Sequence, residues 1–308
     1  MADRSAADDA ATRAATRALV GSFSVEVTPP ELAKLPDLPD HLGGGTRVYL
    51  TYLPKVDFAD VVAAAARLRD TGLRPVVHLA ARAVPDLAAL DRMLGTLVDV
   101  GVEDLLLIAG SAAEPVGALE DTIQVLESPA FLNREWSSVG VAGHPEGNPG
   151  VDDGRVEAAL STKNKIAAEH GLPLHVVTQF CFASEPVVAW ERRMRDQGNA
   201  LPIHVGLPGL TSPARLLKFG LACGVGPSLA VLRKQTGGVL KLATTPVYHP
   251  DETLHALAAA RAADPDALLA GIHFFPFGAV RATAAWARAV RDGHFAVDRR
   301  RGRLTVDV

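Results

Sequence analysis

The chain predicts a (β/α)8 TIM barrel in a single domain. Short strand-like stretches alternate with helical ones along its whole length. Successive strand starts fall mostly about 25–35 residues apart, as repeated βαβ crossovers require. Residues 104–108 (DLLLI) form an apolar strand of the kind buried on both faces of a parallel sheet. A doubly wound open sheet is the runner-up. No early strand is followed by G-x-G-x-x-G, and the nearest string, 224–229 (GVGPSL), lacks the last glycine and follows a helix.

The first strand lies in 22–30 (SFSVEVTPP). Phe23, Val25 and Val27 alternate with Ser24, Glu26 and Thr28, a period of two. Pro29 and Pro30 end it, because neither can donate to a ladder. A Pro- and Gly-rich loop runs to Gly45, and 47–51 reads as strand two. Residues 58–70 are helical, closed by Gly72, and 75–79 are strand three. In 86–100, Leu87, Leu90, Leu94 and Leu97 recur at threes and fours, so a helix links strands three and four. A helix is expected over 116–126 and irregular chain over 128–136. Strand five is 138–142, helix five 154–170, strand six 175–178, helix six 186–197 and strand seven 202–206. Helix seven, 213–222, has Ser212 as N-cap. Further helices are expected at 228–234 and 251–263, strand eight at 268–274 and helix eight at 280–291. Residues 304–308 return as a short strand or lie loose.

With 308 residues, 48% hydrophobic and 21% charged, the chain can bury a sizeable core. A net charge of −4 argues against a nucleic-acid partner. The basic run at 299–303 reads as a solvated tail. Two cysteines make no disulfide framework and no metal-ligand spacing. Residues 1–20, rich in Ala with Asp and Arg throughout, read as a frayed or helical extension to a barrel of 21–308. The absence of a signal peptide and of any 18-residue apolar run predicts a cytoplasmic protein without membrane contact. The oligomeric state is open.

In a barrel, the strand carboxyl ends and the loops behind them form one concave site. That rule collects Glu26 from strand one, Thr51 and Tyr52 from strand two and His78 from strand three. Strand four adds Gly110 and Ser111, strand five Gly143, His144 and Glu146, strand six Gln179 and Phe180, and strand eight His273 and Phe275. The rim is polar without a carboxylate cluster for a divalent metal, so no metal is expected. No H-E-x-x-H, G-x-S-x-G or Walker loop occurs, which leaves metal hydrolysis, serine hydrolysis and P-loop chemistry unsupported. Taken alone, Glu26 is a solvated glutamate on a half-exposed strand.

At these strand ends the chain resembles the methylenetetrahydrofolate reductase family. VEVTPP (25–30) is similar to the family's strand-one F-E-F-F-P-P, and VGVAGHPEGNP (139–149) to its A-x-x-P-E-x-H-P. Thr51-Tyr52 matches its T-Y and His78-Leu79 its H-L. Lys163-Asn164-Lys165 followed by Thr178-Gln179-Phe180 matches K-x-K…T-Q-F-x-F, and His273-Phe274 its final H-F. The matches keep their order across residues 22–280.

The resemblance implies reduction of 5,10-methylenetetrahydrofolate to 5-methyltetrahydrofolate on a (β/α)8 barrel, usually through FAD reduced by NADH or NADPH. Opening the methylene-bridged ring to a 5-iminium needs a proton on the leaving nitrogen, after which hydride attacks the carbon. The family likeness gives the acid role to Glu26, and desolvation at an apolar mouth can hold such a carboxyl protonated. Gln179 corresponds to the pterin-binding glutamine, whose amide offers a donor beside an acceptor. Phe180, Ser111 and Glu146 join it as substrate contacts. Thr51, Tyr52, His78, Gly110, Gly143, His144 and Lys165 are placed at the cofactor. Where the family carries L-R-G-D after strand four this chain has Ile108-Ala109-Gly110-Ser111, and the family's Asn-Arg after strand eight is Gly278-Ala279, with Arg281 near. A FAD pyrophosphate wants cationic partners, so the departures make FAD doubtful and point to NAD(P)H as direct hydride donor. The alternatives are an FAD-dependent reductase, a folate-linked methyltransferase or demethylase component, and a folate- or partner-binding barrel without activity.

Overall fold

Period-two alternation sends one set of side chains inward and the other outward on each strand. The structure, a computed structural model, describes residues 2–110, 112, 114–148, 151–223, 247–298 and 300–307. Strands β1 (Ser24–Val27), β2 (Arg47–Leu50), β3 (Arg74–Ala80), β4 (Asp104–Ile108), β5 (Ser138–Gly143), β6 (Leu174–Phe180), β7 (Ile203–Pro208) and β8 (Leu269–Phe275) pair in chain order. Every pairing is parallel, and β1 closes the sheet against β8 through Ser24↔His273 and Val25↔Phe274. The expected eight-stranded barrel is therefore the observed one.

The outward residues, among them Val25, Val48, Leu50, Leu105, Leu107, Val139 and Val176, lie in the main apolar core beneath the helices. The inward residues Tyr49, Val76, Leu106 and Val177 form a separate cluster that fills the lumen. Two of the outer helices show how local sequence sets the packing. Helix α4 (Phe58–Asp70) buries Val61, Ala65 and Leu68, and α5 (Leu87–Asp99), capped where Asp86 accepts from Ala89 N–H, buries Leu90, Leu94 and Leu97.

The helices that frame the candidate site are α8 (Asp153–His170), α9 (Glu185–Asp196) and α10 (Pro213–Cys223). Numbering them leaves α1 (Ala2–Gly21), α2 (Pro29–Leu32) and α3 (Leu38–Leu42) before α4, and α6 (Thr122–Leu126) and α7 (Pro129–Leu132) after α5. Helices α11 (Asp251–Ala263) and α12 (Val280–Asp292) flank β8. On α12 the buried Trp286 meets Phe274 edge-on at 5.9 Å. Truncating such a residue to alanine typically costs about 3–5 kcal/mol.

Several expectations change. The helix expected over 116–126 is confined to α6, because the Asp121–Gln124 capping box starts it there and the chain before it is irregular. The stretch 128–136 contains a short helix, α7, capped by Ser128. Of the two alternatives for residues 1–20 the chain takes the helical one over Ala2–Gly21, and α1 packs on the barrel. Ala15, Leu19 and Val20 belong to the main core, and Arg13 donates to the carbonyls of Phe295 and Gly293 at 2.6 and 2.5 Å. A hairpin of β9 (Phe295–Asp298) and β10 (Arg303–Val306) follows α12, and Arg300 and Arg301 of the basic run lie at its turn. The helix expected at 228–234 and the string 224–229 lie outside the described residues.

Candidate active site

Glu26 faces into the lumen near the mouth, at the register position of Tyr49. Its side chain is 15% exposed. Thr51 Oγ1 donates to Oε1 at 2.8 Å. Two imidazoles bracket the other oxygen, His273 Nε2 at 3.5 Å and His78 Nε2 at 3.6 Å from Oε2. Ser24 Oγ lies 2.9 Å from His273 Nδ1 and holds that ring from behind. The Tyr49 ring packs over His273, with centroids 4.4 Å apart.

Electrostatics here reverse the expectation of a protonated acid. Burial pushes the Glu26 pKa up, but His78, His273 and the Thr51 hydroxyl together outweigh it, and the carboxyl is held below its ordinary value. Burial pushes His78 down to about 4, against the pull of the Glu26 charge. The His78 Nε2 atom is buried without a hydrogen bond.

A second imidazole layer lies deeper. His175 meets Tyr49 OH at 3.3 Å through Nε2 and Ser138 Oγ at 3.2 Å through Nδ1. The His204 ring lies 4.7 Å from it. Burial pushes His175 down to about 3 and His204 to about 4. Barrel interiors are usually filled by branched apolar residues, so the lumen of this chain is unusually polar.

One side of the mouth is aromatic. The β6–β7 register shifts between Val177 and Phe180, and Gly206 N–H donates to Thr178 Oγ1 at 2.9 Å across the irregularity. A Cβ at Gly206 would stand 2.5 Å from Thr178 O, so only glycine lets β7 follow that bend. Phe180 then turns into a cluster with Phe182, Leu216 and Tyr248, against Phe275 and Phe277. Phe277 holds φ 48°, the only non-glycine positive φ among the described residues; bulky side chains avoid that region, and such strain clusters at functional sites. Arg215 Nη1 donates to its carbonyl at 3.2 Å, and Phe219 stacks on its ring at 4.6 Å. Gln179 Oε1 accepts from Phe180 N–H at 3.1 Å, so the amide's acceptor is turned onto the chain and must rotate to serve a ligand.

At the carboxyl ends of β4 and β5, beneath α8 and α9, lies a cavity of about 210 Å³. His144, Gly143, Asp121, Arg155 and Lys163 line it with apolar neighbours. Lys163 is 9% exposed, and no hydrogen bond or ion pair holds its ammonium among the described residues. Burial lowers its pKa, with Asp121 pulling the other way. Burial and the Lys163 charge push His144 down to about 4, and its buried Nδ1 has no hydrogen-bond partner. Gly143 is glycine because a Cβ would meet Val176 at 2.5 Å and Trp190 at 3.1 Å, so its part is to let α9 approach.

The structure thus gathers Glu26, Thr51 and His78 in one group and Gly143 and His144 in the cavity. It does not bring in Lys165, which is exposed on another face of α8, since two positions along a helix rotate a side chain by about 200°. Lys163, two residues earlier, lines the cavity instead. Tyr52 and Gly110 are half-buried in the loops after β2 and β4; burial pushes the Cys181 thiol up, and the charge of Glu146, in the loop after β5, adds to it. Ser111 lies outside the described residues. Arg281, the cation expected near Gly278, is taken by Asp37 at 2.5 and 2.7 Å. Sequence reasoning missed Lys163, Phe277 and Arg215. The Lys-x-Lys motif held the signal for the first of these; the other two had none. Among the described residues no group of three His, Cys, Asp or Glu is arranged to hold a metal, and no helix is long and apolar enough to cross a membrane.

The family model for methylenetetrahydrofolate reductase matches residues 18–226, more than half of the chain, and takes in Glu26, His78 and Gln179 on their strands and Thr51 and His144 just past theirs. The chain belongs to the methylenetetrahydrofolate reductase family. Among solved structures it is similar to the catalytic domain of a mannanase from Streptomyces sp. SirexAA-E, at 15% identity over 87% of this chain and 83% of that one, with a TM-score of 0.48. It is also similar to a dihydropteroate synthase from Thermus thermophilus, at 16% identity over 86% and 91%, with a TM-score of 0.43. At such distance the barrel rests on its own strand pairing, not on these likenesses. Family membership supports a methylenetetrahydrofolate reductase-type function, an oxidation–reduction on a folate. The family normally uses a flavin and a nicotinamide. Lys163, Arg155 and the unpaired His144 Nδ1 line one cavity, and the Asp121 carboxylate lines it too.

Proposed function

We propose that this protein reduces 5,10-methylenetetrahydrofolate to 5-methyltetrahydrofolate, taking hydride directly from NAD(P)H without flavin, with Glu26 as general acid. The observation that carries the reading is the inward carboxyl of Glu26, held by Thr51 and two imidazoles at the mouth of the barrel. Carbon–nitrogen cleavage in the imidazolidine ring leaves electrons on nitrogen. A carboxylic acid beside that atom supplies the proton, and the iminium carbon then accepts hydride. Acid catalysis of this kind is worth roughly 10²–10⁴ in rate.

The aromatic wall of Phe180, Phe275 and Phe277 offers flat apolar faces to a planar ligand on one side of Glu26. Gln179 rotates off Phe180 N–H to pair with the pterin edge, and Glu146 borders the same mouth. Lys163, His144 and Arg155 hold the diphosphate of the nicotinamide cofactor at the carboxyl ends of β4 and β5, with Thr51, Tyr52, His78 and Gly110 between the two. Support for the direct route comes from the sequence after β4, where Ala109 and Ser111 stand in place of the family's arginine and aspartate. The test is the absorbance spectrum of purified protein together with methylenetetrahydrofolate-dependent NAD(P)H oxidation after exhaustive flavin removal. Colourless, fully active protein is expected. A yellow protein whose turnover vanishes without FAD removes the direct route and leaves the family activity.

A further inference from the structure

The proposed reaction takes up one proton per turnover, and the carboxyl that delivers it rests in its ionised form. Something must recharge it. We infer that His78 is the proton-delivering residue, passing a proton taken from solvent to Glu26 Oε2 before each ring opening. This deepens the reading above and rests on it.

The argument is geometric. Around Glu26 the neighbours able to give a proton are Thr51 and Tyr49 on β2, His78 on β3 and His273 on β8. The Thr51 hydroxyl is far too weak an acid. Burial pushes the Tyr49 phenol up, which keeps its proton on oxygen, and that oxygen faces His175. His273 is sealed, with a side-chain exposure of 0%, and Ser24 and Glu26 occupy its two nitrogens. It is a strut. His78 differs on both counts. Its side chain keeps 6% exposure, and its Nε2 stands 3.6 Å from Oε2 without a hydrogen bond. A proton on Nε2 would point across that gap at Oε2. Buried polar atoms are rarely left unpaired, and this one faces the atom whose protonation the chemistry needs. Among the described residues no lysine or arginine pairs with Glu26 and competes for the role.

The steps balance. Hydronium protonates His78 at Nδ1, the ring nitrogen turned away from Glu26, and leaves as water, while Nε2, buried against Oε2, carries the proton to be passed on. The imidazolium N–H bond breaks as the Oε2–H bond forms, leaving neutral imidazole and neutral carboxylic acid. That acid then protonates the leaving nitrogen and returns to carboxylate. No electrons change hands in these transfers; the redox step is the separate hydride transfer. Because the pair shares one proton, its pH limits belong to the pair and not to either residue.

The test compares the parent, His78→Gln, His78→Asn and Glu26→Gln in pH profiles of kcat and kcat/KM, with and without added imidazole. Both His78 variants should lose on the order of 10² in kcat, with KM for the folate little changed. Their basic limb should move down by about one pH unit or more, because a lone carboxyl ionises earlier than the pair. Imidazole should restore turnover in these variants and not in Glu26→Gln. Circular dichroism confirms folding, and two substitutions guard against one that fails to fold. A profile in both His78 variants that superimposes on the parent's, or the absence of imidazole rescue, overturns the relay. Parental turnover in Glu26→Gln would instead sink the acid assignment, and the relay with it.

Discussion

Two imidazole layers share one lumen, and they are finished differently. In the deeper layer both nitrogens of His175 meet hydroxyls, Tyr49 OH and Ser138 Oγ. In the layer at the mouth a carboxylate stands between His78 and His273, and one nitrogen is left without a bond. Burial alone does not separate them, since His175 and His78 are both pushed well below the ordinary imidazole value. The difference is satisfaction. A buried polar group with every partner in place belongs to the scaffold, and one left open has a partner still to come.

The comparison can be broken most sharply at its carboxylate. Glu26→Gln keeps the shape and removes the acid, so kcat should fall by about 10²–10⁴ while folate binding persists. Stopped-flow NAD(P)H oxidation and equilibrium folate titration read the two quantities. Near-parental turnover would make the mouth layer as structural as the deeper one.

Acid should find the deeper layer next. His175 and His204 titrate at about 3 and about 4 when folded, below the roughly 6.5 of an unfolded chain. Between those limits the unfolded chain binds more protons, so stability is full above pH ~6.5 and is lost as pH falls toward ~4. Each imidazole contributes on the order of 3 kcal/mol across that window. Urea unfolding at pH 7 and pH 4.5 measures the loss, and a His204→Asn variant should flatten the dependence. A stability that does not change over that range would mean that the rings titrate alike in the folded and unfolded chain, so that burial does not hold them neutral.

Smaller effects sharpen the contrast. Tyr49→Phe strips one partner from His175 and should cost about 1–3 kcal/mol in urea unfolding, with little change in kcat. Lys163→Met should weaken NAD(P)H binding by about tenfold and leave the protein as stable or more so, because an unpaired buried ammonium is gone. Lys165→Met, made on the exposed face, should change neither. Calorimetric titration with the nicotinamide reads that pair, and equal losses from both lysines would remove the cavity from the cofactor site.

Much of this was legible in the chain. Alternation in 22–30 told which way Glu26 points, because a strand's two faces follow from covalent geometry. The βαβ spacing told the order of the strands, because a parallel crossover needs that length and one hand. The motif order told the family. What stayed hidden involves groups that sequence keeps far apart. Lys163 and Lys165 read alike on a helix until packing buries one of them. The Gly206 requirement exists only where β7 meets the shifted register of β6. The resting charge of Glu26 was read in the wrong direction, because desolvation acts on a residue by itself whereas the opposing imidazoles arrive from β3 and β8. The chain alone determined the barrel and the carboxyl at its mouth. Closure of β1 onto β8 decided what surrounds that carboxyl, since electrostatic energies depend on distances across the lumen that no local pattern encodes.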